Sequence, residues 1–332
     1  MKTVVQINSA KNCGSTGKIA EQIAQIAQSQ GWETYIAHGF RYDRGGEIDG
    51  LLVTGRYGEY GHWAKSLFMD GQGLGSQNET KRLLKTLDDI HPDIVHLHNI
   101  HGYYINYGVL FDYLSKKKIP VVWTLHDCWP FTGHCVYFDR IGCEKWKTRC
   151  GECPQKKGYP KSLVDRSSRN FDLKRICFTA VPNMTLVPVS DWLRGLVEQS
   201  FLSKYPVHTI HNGIDLERFK PCESDFKERY SLTDKFIVLG VADGYGERKG
   251  CLNISNLGRV DLPESMRPYV RRMDFLIGVQ LTYPNNCSVA SCGGVTTINM
   301  IRNIRETELE RRFFTALVQM GIPVRIESND NG

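Results

Sequence analysis

The sequence predicts an α/β fold in which a parallel sheet carries helices on both faces. Three observations carry that prediction. Short apolar runs alternate with stretches of helical spacing through most of the chain. Several runs end in polar residues, as at His98-Asn99 and His126-Asp127, where an open parallel sheet offers its ligand-binding edge. The length of 332 residues, 41% of them apolar, supplies material for two ordinary cores.

Taken in order, residues 4–8 read as a first strand. Residues 12–18, Asn-Cys-Gly-Ser-Thr-Gly-Lys, form a glycine-bearing loop. Residues 19–30 have helical spacing, with Ile19, Ile23 and Ile26 on one face. Residues 34–37 are a second strand. From about 41 to 77 the chain is rich in Gly, Tyr and Asp and weakly periodic, and it reads as an irregular insertion with one short helix near 62–69. A helix over 80–90, a buried strand over 92–99, a helix near 109–117 and a strand over 120–125 follow. Residues 171–176 are helical, 186–190 a strand and 191–200 a helix, for which Ser190 is the expected N-cap.

Composition sets the frame for function. The net charge of +6 is spread along the chain, which suits an anionic substrate or an acidic surface without selecting either. The basic run Lys116-Lys117-Lys118 reads as a solvated helix end, with lipid contact as the minority reading. No stretch of 18 apolar residues exists to cross a membrane. The first seven residues turn polar too soon for a signal peptide, so a cytoplasmic protein with mostly reduced cysteines is expected.

Strand, glycine loop and helix together place backbone N–H groups at a helix start, where they can meet an anion. The loop lacks the G-x-x-x-x-G-K-[ST] spacing, which excludes a P-loop ATPase. Five cysteines (Cys128, Cys135, Cys143, Cys150 and Cys153) fall in the insertion 128–153 among Trp129, His134, Tyr137 and Trp146. Cys150-Gly151-Glu152-Cys153 is a C-x-x-C knuckle able to put two thiolates on one metal. Cys135 and Cys143 complete a candidate four-sulfur structural zinc set, with His134 or Cys128 as substitutes. Free, packed thiols are the competing reading. No nucleic-acid module is recognisable, and no nucleic-acid partner is expected.

After a short apolar run at 207–210 comes Ile210-His211-Asn212-Gly213-Ile214-Asp215, then Phe219 and Pro221. Asn-Gly supplies a turn, Asp215 can cap the next one, and Phe219 can anchor it in a core. The string I-x-N-G-I-D-x-x-x-F-x-P resembles the inter-domain segment of retaining family-four glycosyltransferases of GT-B fold. Thr124-Leu125-His126-Asp127, the run from Trp123 through the C-x-x-C-P end, and Y-P-K-S-L-x-D-R-S at 159–167 extend the resemblance to a bacterial exopolysaccharide or capsule subgroup.

That resemblance implies two Rossmann-like domains facing a cleft, the second incomplete or atypical. The first, acceptor-side domain would span 1–205 and the linker with the donor-side domain 206–332. It implies transfer of a sugar from a nucleotide-sugar to a glycan or lipid-linked acceptor, with retention and no catalytic cofactor, by a protein peripheral to the inner membrane face. His126 would contact the donor sugar, oriented by Asp127, with His98 and Asn99 beside it on the acceptor side. Gly14, Gly17 and Asn212 would serve the donor, and Arg248 and Lys249 would meet its diphosphate. A non-catalytic metal- or partner-binding protein is the alternative.

The resemblance covers about residues 1–250. A strand over 236–242 fits the start of a donor domain, and the pattern then stops. Residues 251–332 hold nine Arg and no Lys, His or Trp, against 13 Arg, 20 Lys, ten His and six Trp before them. No two glutamates there stand eight apart, as a donor site of this family requires, and about 304–320 reads as a charged helix. A tail of different origin is expected, from a frameshift, fusion or truncation, with divergence as the alternative. Inactivity of this chain would follow from such a tail.

Overall fold

The computed structural model describes residues 1–217, 219–220, 224–229, 253–260, 262–270, 272, 274, 276, 285–292, 294–302 and 308–327. The chain divides into two compact units, Met1–Phe219 and Lys220–Gly332.

The first unit is a six-stranded parallel sheet: β1 (Thr3–Ile7), β2 (Glu33–Gly39), β3 (Asp49–Thr54), β4 (Ile94–Leu97), β5 (Val121–Leu125) and β6 (Met184–Pro188). Their order across the sheet is β3-β2-β1-β4-β5-β6. The order reverses between β1 and β4, so the loops that leave these two strands diverge and open a crevice at their carboxyl ends. Helices α1 (Gly14–Ser29), α2 (Arg56–Met69), α3 (Gln77–Ile90), α4 (Tyr107–Lys117), α5 (Ser167–Phe178) and α6 (Asp191–Val197) connect the strands.

Two sequence expectations change here. Residues 41–77 are no irregular insertion: they contain edge strand β3 and the 14-residue helix α2. Glycines at 50, 55, 58 and 61 blurred the periodicity, since Gly carries no apolar side chain to mark a face. In α1 the core-facing residues are Gly17, Ala20, Glu21 and Ala24, while Ile26 is 60% exposed. Small residues let the helix approach closely. A Cβ added to Gly17 would lie 3.2 Å from the Ala10 carbonyl carbon and Cβ. Oε1 of buried Glu21 accepts from Glu47 N at 2.8 Å and Ile48 N at 3.1 Å, while its Oε2 is buried without a partner.

The core between sheet and helices is aromatic. Trp123 of β5 meets Phe178 of α5 edge-on at 5.0 Å, and Phe178 packs on Phe111 of α4 at 4.5 Å. Such pairs add about 0.5–1.5 kcal/mol each beyond burial of their area. Ser190 caps α6 as expected, its Oγ accepting from Leu193 N at 3.2 Å.

Residues 206–210, expected as linker, run beside β6. His208 N donates to Leu186 O at 3.0 Å and Ile210 N to Pro188 O at 3.2 Å. Asp215 caps the following turn through Glu217 N at 3.0 Å. Phe219, expected in a core, is 61% exposed.

The second unit contains α7 (Phe226–Arg229), a three-stranded sheet and α8 (Glu308–Gln319). Its strands are β7 (Asn253–Arg259), β8 (Asn285–Cys292) and β9 (Val295–Arg302). Central β8 pairs parallel with β7 and antiparallel with β9. Among the described residues this is a mixed sheet rather than a second doubly wound one. The strand expected over 236–242 lies outside the described residues.

Candidate functional site

The crevice at the carboxyl ends of β1, β4 and β5 is lined by a histidine relay. Gln6, buried in β1, gives its amide N–H to Ala20 O at 2.8 Å, which turns Oε1 toward His98 Nε2, also at 2.8 Å. Nε2 of His98 therefore carries the proton. Burial, with His96 and His126 close by, pushes the His98 pKa well below its ordinary value, so the ring is neutral and Nδ1 is an acceptor. His126 Nε2 stands 3.1 Å from that Nδ1 and donates to it. The remaining nitrogen of His126, Nδ1, is left as an acceptor. The two rings stack at 5.4 Å. Burial lowers the His126 pKa to about 4, so it too is neutral near pH 7.

Asp127 does not orient His126. Its Oδ2 lies 2.7 Å from His101 Nε2, and its Oδ1 accepts from Trp129 N at 2.9 Å. His101 Nδ1 in turn meets the Tyr159 hydroxyl at 3.2 Å. Burial alone would raise the Asp127 pKa, but His101 and the bond from Trp129 outweigh it and hold the carboxyl below its usual range. The sequence places Asp127 next to His126; the strand ends at Leu125, and in the bend that follows Asp127 pairs with His101. His101 carried no sequence signal, and Tyr159 only its place in the Y-P-K-S-L string, because their partners are remote in the chain.

Asn99 joins the loops. Its N donates to Asn8 Oδ1 at 3.2 Å, and its carbonyl accepts from Ser9 N and the Tyr104 hydroxyl. Its backbone thus fixes the loop after β1 against the loop after β4. Trp123 Nε1 donates to His98 O at 3.0 Å and ties the same loop to the aromatic core.

The predicted glycines part company. Gly14, with φ +62°, is exposed at the start of α1, beside Cys13, whose side chain makes no cap bond. The first-turn N–H groups are suited to an anion. Gly17 is buried against Ala10 and serves packing, not the crevice. Asn212 lies on an exposed turn after the segment beside β6. Arg248 and Lys249 lie outside the described residues.

A second feature lies near the ends of β1 and β2. Lys11, His38, Phe40, Arg41, Asp43, Arg44, Gly50 and Leu52 line an open cavity of about 540 Å³. Lys11 reaches Gly45 O at 2.7 Å.

The cysteine insertion packs against α5. Buried Lys174 of α5 bonds Trp129 O at 2.7 Å and Thr132 O at 3.0 Å, with Nζ 3.3 Å from the Trp129 ring centroid. Cys135, Cys143, Cys150 and Cys153 line one small cavity with His134 and Trp146. Buried Cys128 is not among its lining residues.

The chain matches the Glycosyltransferase Family 4 model over residues 19–218, and it belongs to that family. It is 28% identical over 229 residues to a protein of Escherichia coli (strain K12) named putative colanic acid biosynthesis glycosyl transferase WcaC, covering 64% of this chain and 55% of that protein. The chain thus spans about half the length of this curated relative. Among solved structures it is similar to a sucrose-phosphate synthase from Thermosynechococcus elongatus, at 9% identity and a TM-score of 0.44, over 70% of this chain and 53% of the other. It is also similar to the catalytic domain of starch synthase IV from Arabidopsis thaliana bound to ADP and acarbose, at 14% identity and a TM-score of 0.38, over 99% and 75%. Both scores fall below one half, and the family assignment rests on the family match.

Proposed function

We propose that this protein transfers a sugar from a nucleotide-sugar donor to a glycan or lipid-linked acceptor, with retention, in the assembly of a bacterial exopolysaccharide. The single observation that carries the reading is the neutral His126–His98–Gln6 relay at the switch point of a sheet belonging to Glycosyltransferase Family 4. A neutral imidazole held in one tautomer can accept a hydrogen bond from a donor-sugar hydroxyl at Nδ1 while Nε2 is fixed from behind. His126 is the residue that touches substrate; His98 and Gln6 position it. Neither needs a metal or cofactor for this role.

Arg248 and Lys249 are proposed to meet the donor diphosphate, and Gly14, at the start of α1, to serve the donor from the first unit. Asn212 completes the donor set, and Asn99 and Asp127 border the acceptor side; His98, buried with both ring nitrogens engaged, acts only through His126. The cavity lined by Lys11, Arg41 and Arg44 has the charge to hold a phosphate-bearing acceptor, as a lipid-linked glycan would be. Exposed Tyr57, Tyr60, Trp63 and Phe68 of α2 are residues of the kind that settle at a membrane surface, in keeping with peripheral attachment on the cytoplasmic side. Among the described residues no helix is long and apolar enough to cross a membrane.

Calorimetry with UDP and GDP tests donor binding, with Lys249→Ala as the control. Binding that is lost in the variant supports a working donor site despite the atypical tail. A folded protein that binds neither nucleotide speaks for an inactive chain, and sequencing the locus then tests the frameshift reading. Donor hydrolysis that survives His126→Ala unchanged would remove His126 from the mechanism.

A further inference from the structure

We propose that Cys135, Cys143, Cys150 and Cys153 bind one zinc ion as thiolates, in a structural site that fastens the 128–167 insertion onto the core. The sequence leaves open which sulfurs group together, and whether Cys128 or His134 replaces one of them. The fold chooses. The four sulfur-bearing residues line one cavity of about 20 Å³, a space for a single ion, and Cys128 does not line it. Cys135 shares its S–H with Cys153, so two of the sulfurs are already neighbours.

Backbone donors surround the sulfurs as they do in metal knuckles. Gly133 N donates to Cys150 Sγ at 3.2 Å, and the Gln155 backbone N–H reaches Cys153. Gly133 is held tightly: a Cβ there would come within 2.1 Å of Ser167 O and 2.8 Å of Cys150 Cβ.

The independent observation is polar atoms with nothing to bond. His134 Nε2 and Trp146 Nε1 are buried and partnerless, and both residues line this cavity. An indole N–H buried without an acceptor is costly and calls for one. A thiolate cluster on a metal supplies the acceptor that the Trp146 N–H lacks, while His134 Nε2 faces the same cavity as a lone pair. His134 is fixed from its other side, Nδ1 bonding Asp70 Oδ1. Asp70 also takes Arg166 N on Oδ2 at 2.8 Å, and its backbone O takes Asn170 Nδ2 at 2.7 Å. The segment at 165–167 closes the arrangement, with Cys153 N bonded to Asp165.

Charge favours the same assignment. Four thiolates and Zn²⁺ leave a net charge of −2, which needs buried cations nearby. Lys174 is a buried lysine whose bonds go to two carbonyls rather than to a carboxylate, and it lies within electrostatic reach of Cys150. Among the described residues no three ligating side chains already stand at coordination distance from one point. That is the arrangement of reduced thiols, in which Cys135 and Cys153 bond each other. Zinc binding, with Zn–S distances of about 2.3 Å, would replace the Cys135–Cys153 bond.

The test uses the full chain, purified under reducing conditions and reconstituted with zinc alone. Elemental analysis is expected to find one zinc per chain. A mercurial thiol reagent should release it as the cysteines react, and a dye should report the release. Cobalt substitution should give tetrahedral bands with strong thiolate charge transfer. Cys128→Ala should keep the ion, and Cys150→Ser should lose it. Folded wild-type protein that takes up no zinc would overturn the proposal. So would a zinc ion lost in Cys128→Ala and kept in Cys150→Ser. A cobalt spectrum showing a nitrogen ligand would overturn the four-sulfur set. Wild-type stoichiometry and the cobalt spectrum decide the matter even if a cysteine variant fails to fold.

Discussion

At the scale of the residue, the site works by keeping histidines neutral. Burial lowers the pKa of His96 to about 4, His126 to about 4 and His62 to about 3, and carries His98 well below its ordinary value. The unfolded chain binds these protons near pH 6.5 and the folded one does not. Between about 6.5 and 4 the unfolded state therefore holds more protons, and stability falls as pH falls. Each independent group contributes about 1.4 kcal/mol per pH unit in that window, less where neighbouring rings share the effect. The urea midpoint of the full chain should drop steadily from pH 6.5 to 4.5, and more shallowly in His98→Gln. A midpoint flat across that range would show that the rings are not buried neutral. For catalysis, His126→Ala should lower turnover by about 10²–10⁴ with little change in nucleotide affinity. His101→Ala should act more weakly and through Asp127, since that pair stands beside the relay rather than in it.

At the scale of the element, the fold positions the site through close backbone approaches. Helix α1 sits against Ala10 because Gly17 has no side chain. Gly17→Val should cost about 1–3 kcal/mol by overpacking and is read as a lower urea midpoint. Because α1 carries Gly14 and the first-turn N–H groups, the same variant should also weaken nucleotide binding in calorimetry. Ser190→Ala at the start of α6 should cost about 1 kcal/mol with nucleotide binding unchanged, since that cap only holds its own helix. The contrast between these variants separates helix placement from helix stability.

At the scale of the whole molecule, the two units differ in kind. The first has a continuous aromatic and aliphatic core, the relay and the cysteine insertion. The second contains a mixed three-stranded sheet in its described residues, where a family-four donor domain would repeat the doubly wound plan. A zinc ion in the insertion would stabilise the first unit by mass action, because it binds the folded form. Chelation of the reconstituted chain should then lower its melting temperature, and added zinc should restore it. No shift on chelation would show that the thiols bear no structural load.

The sequence by itself determined the elements and the family. Strand-helix alternation marked every strand of the first sheet except β3, and polar residues at the ends of β4 and β5 marked the crevice. Those signals are local, because a strand or helix writes its period within a few residues. The motif strings around His126 and Asn212 named the family for the same reason. The tertiary structure alone decided the partners. His98 takes its tautomer from Gln6, 92 residues away, and Asp70 braces Arg166 across 96. Asp127 turns to His101 although His126 is its neighbour, and Cys128 drops out of the cysteine set although it stands in the same run. A bend after β5 separates neighbours such as His126 and Asp127, and residues distant in sequence meet where the chain returns to the crevice. Sequence spacing therefore fixes which elements form, and only packing fixes which side chain each functional group finds.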